Sequence, residues 1–301
     1  MSEIMRISAE NANVRRLGRT LMRNGTLWLG YSLTGAEFGF DGTSLTAELT
    51  TDWVNDEAWK ENFQPYMAVL VNGKLLKRFA VSEGTAEYEL YRSERAEKVR
   101  IRLVKLSENA FSKVGVLSFS VDGKLTATKP CSERRIESVG DSITCGFGIE
   151  GRSADEKFRT STENPLINYA SLTANELGAE YQLISWTSIG VYSNSVKDDR
   201  TEPDNAWTMP VIYDCTDKAV DGMLGNEPEK WDHSRFAPQL IVVNLGTNDK
   251  DFTRGIPERT GHLKTATVNS LRISVRKIRR RTLSAHSEQW DVSFCRRSKM
   301  P

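Results

Sequence analysis

Three short stretches hold the residue types that nucleophilic catalysis needs, and each follows an apolar run. The first, Gly140-Asp141-Ser142-Ile143-Thr144, comes after residues 136–139 and reads as a strand ending in a tight turn with a hydroxyl at its tip. Open parallel sheets gather their ligands at such strand ends. The second is Ser188-Ile189-Gly190-Val191-Tyr192-Ser193-Asn194, and the third is Asn244-Leu245-Gly246-Thr247-Asn248-Asp249. Acyl transfer through a serine requires a nucleophile, a base to take its proton, and donors for the tetrahedral oxyanion. Ser142 is the candidate nucleophile, and its own N–H is a candidate donor. Gly190 offers a second N–H, because a glycine backbone approaches a ligand closely. Asn248 offers a side-chain amide that donates without titrating. Taken singly, each has a plain structural reading: a turn serine, a turn glycine, a helix-capping asparagine. Their succession at three strand ends ties them to one site. Asp141 and Asp249 read as residues that order their loops.

The elements that must position these residues are of two kinds. Up to about residue 128 the chain is strand-rich. Residues 45–50 alternate with period two, as do 99–104 and 114–121. Residues 66–71 and 74–76 flank Asn72-Gly73, which supplies the two positive-φ positions of a type I′ hairpin. Short strands at this spacing predict a β-sandwich, jelly-roll-like, over 1–128. Residues 126–130 are the expected join. Beyond it, 136–139 is a strand and Asn164-Pro165 signals a helix start. Leu166, Tyr169, Ala170, Leu172, Ala174 and Leu177 form its expected apolar face, and Gly178 its stop. Strands over 181–186 and 240–245 complete a strand–helix–strand pattern. It predicts an α/β domain over 129–301, built on a parallel sheet flanked by helices. The long polar connection over 195–238 is expected to be functional or to carry short helices.

The 301 residues suffice for two ordinary domains. No apolar run is long enough to span a bilayer, so no membrane partner is expected. The first residues lack an apolar signal core, and a cytoplasmic location is expected. A formal net charge of +1 argues against binding nucleic acid by bulk charge, but it hides an asymmetry. Residues 254–301 hold twelve Lys/Arg against three Asp/Glu, a basic tail on an acidic body. Cys131, Cys145, Cys215 and Cys295 have no metal-ligand spacing. Free thiols, and neither metal nor other cofactor, are expected.

In this order, the three stretches resemble the sequence blocks of the SGNH (GDSL-like) hydrolases. Residues 139–148 and 244–249 look closest to the carbohydrate esterases of family 2, two-domain deacetylases of plant polysaccharides. The resemblance implies a small jelly-roll domain ahead of a three-layer α/β/α hydrolase domain. It implies an acyl-serine intermediate on Ser142, an oxyanion hole of Ser142, Gly190 and Asn248, and no metal. The implied reaction removes O-acetyl groups from xylo- or gluco/manno-oligosaccharides. Trp186, Trp207 and Trp231 are candidates for stacking on sugar, with core packing as their alternative. The family's base is a histidine near the C-terminus, usually followed by proline, and this chain has no His-Pro. His233 precedes Asn248. His262 follows Asn248 by fourteen residues, too soon for an intervening helix and strand. His286 is better placed but follows an Arg-rich run with no apolar strand before it. The resemblance stops after Phe252. Residues 256–301 therefore read as a replaced or frame-shifted end, poorly packed and lacking a clear base. Two other readings stay open: a glycan-binding protein on a hydrolase scaffold, and a lipase-like or thioesterase relative.

Overall fold

The computed structural model describes residues 4–277 and 282–286, with side chains through residue 270. Ten strands form one antiparallel sheet. They are β1 (Met5–Ser8), β2 (Arg15–Leu17), β3 (Leu21–Arg23), β4 (Thr26–Leu29), β5 (Gly35–Thr51), β6 (Tyr66–Val71), β7 (Lys74–Ala80), β8 (Thr85–Lys105), β9 (Val114–Val121) and β10 (Lys124–Thr126). The hairpin β6–β7 turns at Asn72 (φ 51°) and Gly73 (φ 81°), as the dipeptide demands. Strand β5 carries the architecture. Its buried apolar side chains are even-numbered at Ala36, Phe38 and Phe40, then odd-numbered at Leu45, Ala47 and Leu49. Register shifts against β8 fall between Gly42 and Ser44 and between Leu45 and Thr46. Such bulges switch the inward parity and bend the strand, so one long ladder curls around its own core. That core is apolar throughout, with Phe38 edge-on to Phe119 at 4.8 Å.

Beyond β10 the pattern changes to a parallel sheet in the order β12-β11-β13-β14. Its strands are β11 (Arg135–Gly140), β12 (Glu180–Ser185), β13 (Leu240–Asn244) and β14 (Thr282–His286). The register places Gly140 level with Ser185 and Asn244, and Asn244 level with His286. The turns leaving β11, β12 and β13 therefore open on one edge. The helices are α1 (Ser142–Cys145), α2 (Tyr169–Glu176), α3 (Met209–Tyr213), α4 (Lys218–Met223), α5 (Asp249–Thr253) and α6 (Pro257–Lys277). Helices α3 and α4 occupy the long polar connection.

Two expectations are corrected. The helix expected from Asn164 starts later. Asn164 caps only a 3₁₀ turn, Pro165–Ile167, and the Asn168 side chain accepts the Ser171 N–H at 2.8 Å to begin α2. The buried side becomes Ala170, Ser171 and Ala174, leaving Leu172 and Leu177 exposed. The expectation of a poorly packed end past residue 256 is corrected for its first part only, since side chains are described no further than residue 270. Helix α6 buries Leu263 in a cluster with Tyr31, Val139 and Ile241. The hydroxyls of Thr265, Thr267 and Ser270 donate to carbonyls four residues back, so its polar composition is compatible with a helix. Strand β14 then extends the sheet without an apolar sequence. Residues 278–281 and 287–301, including Cys295 and most of the basic tail after α6, lie outside the described residues.

The sheets meet through buried polar contacts. Arg19, fully buried, donates to the carbonyls of Tyr213 and Cys215 and pairs with Glu137. Asn109 Nδ2 likewise donates to the Asp217 carboxylate at 2.9 Å.

Candidate active site

Strand β11 delivers Ser142 through a turn that admits no larger residue at its base. A Cβ on Gly140 would lie 2.0 Å from Thr144 Oγ1 and 2.9 Å from the Asn244 carbonyl. Asp141 then caps α1, accepting the Ile143 N–H at 3.1 Å. This is the loop-ordering role its position predicts. Helix α1 is a single turn, so it offers the serine little macrodipole, and any help to an oxyanion is local. Ser142 is half-buried at its first position.

The turn after β12 is equally tight. A Cβ on Gly190 would fall 1.8 Å from the Ser193 carbonyl, and Ser188 takes a left-handed φ of 62°. Asp249 holds this turn from the opposite loop. Its carboxylate accepts three consecutive N–H groups, those of Val191 (2.9 Å), Tyr192 (2.7 Å) and Ser193 (2.9 Å). Burial raises its pKa, opposed by those three bonds. Asn248 links all three loops: its Nδ2 donates to the Ile189 carbonyl at 2.8 Å and to Asp141 Oδ2 at 3.3 Å. The immediate neighbours of Ser142 and Gly190 are thus tied through one amide. The Gly190 N–H itself donates to Asn194 Oδ1 at 3.1 Å. Both proposed donors outside Ser142 already have protein partners in this state, which the sequence gives no sign of.

The histidines separate clearly. His286 closes β14 level with Asn244, on the edge that bears Ser142 and Asn248. The helix and strand that its place requires, α6 and β14, are both present, contrary to the sequence expectation. His262 sits on α6 with Nδ1 3.0 Å from the Tyr192 hydroxyl. His233 lies near the Tyr213 ring, away from that edge. Trp186 and Trp207 pair at 5.9 Å, and the Trp186 main-chain N–H donates to the Gly140 carbonyl, so Trp186 leaves β12 beside the β11 turn. Trp231 is instead buried under Arg19 and Arg235, a packing role.

Beneath α1 lies a group that sequence spacing could not reveal, because its members come from distant segments. Glu108, Cys145 and Glu163 are buried with their ligating atoms within 4.8 Å of one another. Glu108 accepts the Thr187 N–H at 2.6 Å, while its other oxygen and both oxygens of Glu163 lack protein donors. Burial pushes Glu108 up to about 7. Burial, then the Glu108 charge, raises Glu163, and burial raises Cys145. Burial and mutual repulsion thus favour the neutral forms of both carboxyls and of the thiol. Cys131, Cys145 and Cys215 are free thiols.

The comparisons with known proteins agree with this layout. Residues 16–130 match the sequence model described as carbohydrate esterase 2 N-terminal, and residues 136–292 match that of the GDSL-like lipase/acylhydrolases. The second match continues well past Phe252, where the motif text ends. Cellulase/esterase CelE of Acetivibrio thermocellus is 29% identical over 257 residues, covering 85% of this chain and 28% of that protein. An acetylxylan esterase/glucomannan deacetylase of Cellvibrio japonicus is 29% identical over 270 residues, covering 89% of this chain and 69% of that protein. This chain therefore spans under a third of the first relative and about two-thirds of the second. Among solved structures, a family two carbohydrate esterase from Clostridium thermocellum in complex with cellohexaose superposes with a TM-score of 0.75. It is 26% identical, with coverage of 91% of this chain and 77% of that one. With its second match spanning more than half its length, the chain belongs to the GDSL-like lipase/acylhydrolase family, and its relatives are family 2 carbohydrate esterases.

Proposed function

We propose that this chain is a serine carboxylic-ester hydrolase that removes O-acetyl groups from xylo- or gluco/manno-oligosaccharides. The observation that carries this is the Asn248 amide, bonded at once to the Ile189 carbonyl and Asp141, which draws three strand-end loops around Ser142. Ser142 Oγ attacks the acetyl carbonyl and gives its proton to a histidine base. His286 is the candidate by its place on the sheet edge. The oxyanion takes hydrogen bonds from the N–H groups of Ser142 and Gly190 and from Asn248, displacing Asn194 and the weaker Asp141 contact. Collapse breaks the C–O bond to the sugar, whose oxygen takes the proton back. Water then attacks the acetyl-serine, and acetate leaves. The finer architecture belongs to the same reading: a jelly-roll-like sandwich over 1–128 ahead of a three-layer α/β/α domain, working in the cytoplasm.

The test is acetate release from acetylated xylo-oligosaccharides, lost in Ser142→Ala. Unchanged release by that variant refutes the nucleophile. One observation favours a second reading, a glycan-binding protein on this scaffold. The Gly190 and Asn248 donors are already satisfied internally. Retention on immobilised xylan without acetate release supports it.

A further inference from the structure

We propose that a ladder of aromatic rings leading away from Ser142 binds the sugar chain of an oligomeric or polymeric ester, carrying substrate recognition onto the N-terminal sheet. The proposal rests on the carbohydrate-ester reading above. Five rings from three loops form the ladder. Phe147 and Phe158 belong to the segment after α1, Phe111 to the β8–β9 connection, and Trp59 and Phe63 to the β5–β6 connection. Phe147 stacks on Phe158 with centroids 3.5 Å apart, and Phe158 lies 5.2 Å from Phe111. Phe111 stacks on Phe63 at 4.7 Å, and Phe63 meets Trp59 edge-on at 5.6 Å. The near end lies on the turn that carries Ser142, since the Phe147 main-chain N–H donates to the Ser142 carbonyl at 3.0 Å. The far end is pinned to the same segment, since the Thr160 hydroxyl meets the carbonyls of Gln64 at 2.6 Å and Asn62 at 3.1 Å.

The ladder is open only at its ends. Trp59 is 55% exposed and Phe147 37%, whereas Phe63, Phe111 and Phe158 are half-buried between them. Lys60 Nζ lies 5.5 Å from the centre of the Trp59 ring and covers part of the indole. The inner rings buttress, and the outer two present aromatic surface to water. Two exposed rings at the ends of one packed aromatic cluster make a better candidate for a binding surface than a single exposed side chain does. Its surroundings define the ligand. A pyranose offers an apolar ring face and a rim of hydroxyls that need donors and acceptors. Exposed Asn55 and Asp56 flank Trp59, and exposed Arg152 and Lys157 lie in the segment bearing Phe147 and Phe158. Both charge signs and an amide suit a neutral polyol, where an anion would call for one sign. An acyl chain is better served by an enclosed aliphatic channel than by open rings edged with charge. Two platforms joined by a buttress suit a chain long enough to touch both while its ester sits at Ser142.

The test compares kcat/KM on acetylated xylo-oligosaccharides with kcat/KM on acetylated xylose, in the wild type and in Trp59→Ala. The expected result is a long-over-short preference that Trp59→Ala reduces about tenfold and Trp59→Phe largely restores, in line with the worth of one aromatic contact. A ratio unaltered by Trp59→Ala overturns the proposal while leaving the esterase reading intact. Retardation of the protein in gels containing soluble xylan or glucomannan provides a readout independent of turnover. Retardation lost in Trp59→Ala supports the ladder even where no sugar ester is hydrolysed, an outcome that would sink the esterase reading alone. A rate that instead rises with acyl-chain length and falls in Trp59→Ala assigns the ladder to lipid and overturns the proposal.

Discussion

The two sheets bury different chemistry, and the contrast separates what holds this molecule together from what it does. Around the curled antiparallel sheet the interior is a continuous apolar cluster, from Leu27 through Phe38 and Ile101 to Phe119. The parallel sheet also carries an apolar cluster, around Val139, Ile184 and Ile241, but it buries charged and polar groups among its strands. Glu137 on β11 is buried against the Tyr213 hydroxyl, the Gln182 amide and Arg19. Asp249 and Asp141 are buried at the strand ends. Apolar burial stabilises without specifying direction. Hydrogen bonds between buried groups stabilise less on balance, but they fix orientation, and an unmet partner is costly. One sheet therefore supplies stability in bulk, and the other positions chemical groups.

The largest expected effect probes the second sheet. Ser142→Ala should lower the rate of acetate release by about a thousandfold or more, as loss of a nucleophile does. Its melting temperature should stay near the wild-type value, because among the described residues no hydrogen bond to that hydroxyl is seen. The counterpart in the first sheet is Phe38→Ala. That change should cost about 3–5 kcal/mol of stability through the cavity it leaves, measured by urea denaturation. The surviving folded fraction should keep its kcat. If Phe38→Ala lowers kcat in proportion to stability, the division of labour is wrong. Asn248→Ala falls between them. It removes both a proposed oxyanion donor and the link from Ile189 to Asp141, so kcat should drop about 100- to 1,000-fold with KM little altered. A change confined to KM would place Asn248 in substrate binding instead.

The same contrast explains what was legible in the sequence. Period-two alternation marks β9 and parts of β5 and β8, because an apolar core writes itself into the pattern of the strands that face it, and Asn72-Gly73 marks the β6–β7 hairpin. The bulges of β5 left no such mark, so the curl of the sheet was not readable. At the candidate site, Ser142, Gly190 and Asn248 could be singled out because each sits in a short motif at a strand end. Their present partners, Asn194 and Asp141, became visible only in three dimensions. The last stretch misled because α6 is stabilised by hydroxyl-to-backbone bonds and one deep leucine, Leu263, and because β14 lacks an apolar run. Propensity and periodicity register neither feature. The pair Glu108 and Glu163 lies 55 positions apart in sequence and could be joined only by the meeting of the two sheets.

That pair yields the smallest and most discriminating prediction, because it belongs to both sheets at once. Burial raises Glu108 to about 7 and holds Glu163 above its ordinary value of 4.5. Between pH 4.5 and 7 the folded state therefore keeps protons that the unfolded chain has released. The stability they contribute is complete below the unfolded pKa and is lost as pH rises through the folded one. Asp217 and Asp249, also raised by burial, add in the same direction. The carboxylates held low, Glu37 and Glu180, act below this window, and Lys105, lowered by burial to about 8, acts above it. Urea midpoints should accordingly fall from pH 5 to pH 7, by on the order of 1–2 kcal/mol in stability. Glu163→Gln, which keeps the shape and removes one ionisable group, should flatten that slope. Equal slopes for wild type and variant would mean that the proton is held elsewhere and that the junction beneath Ser142 is a passive seam.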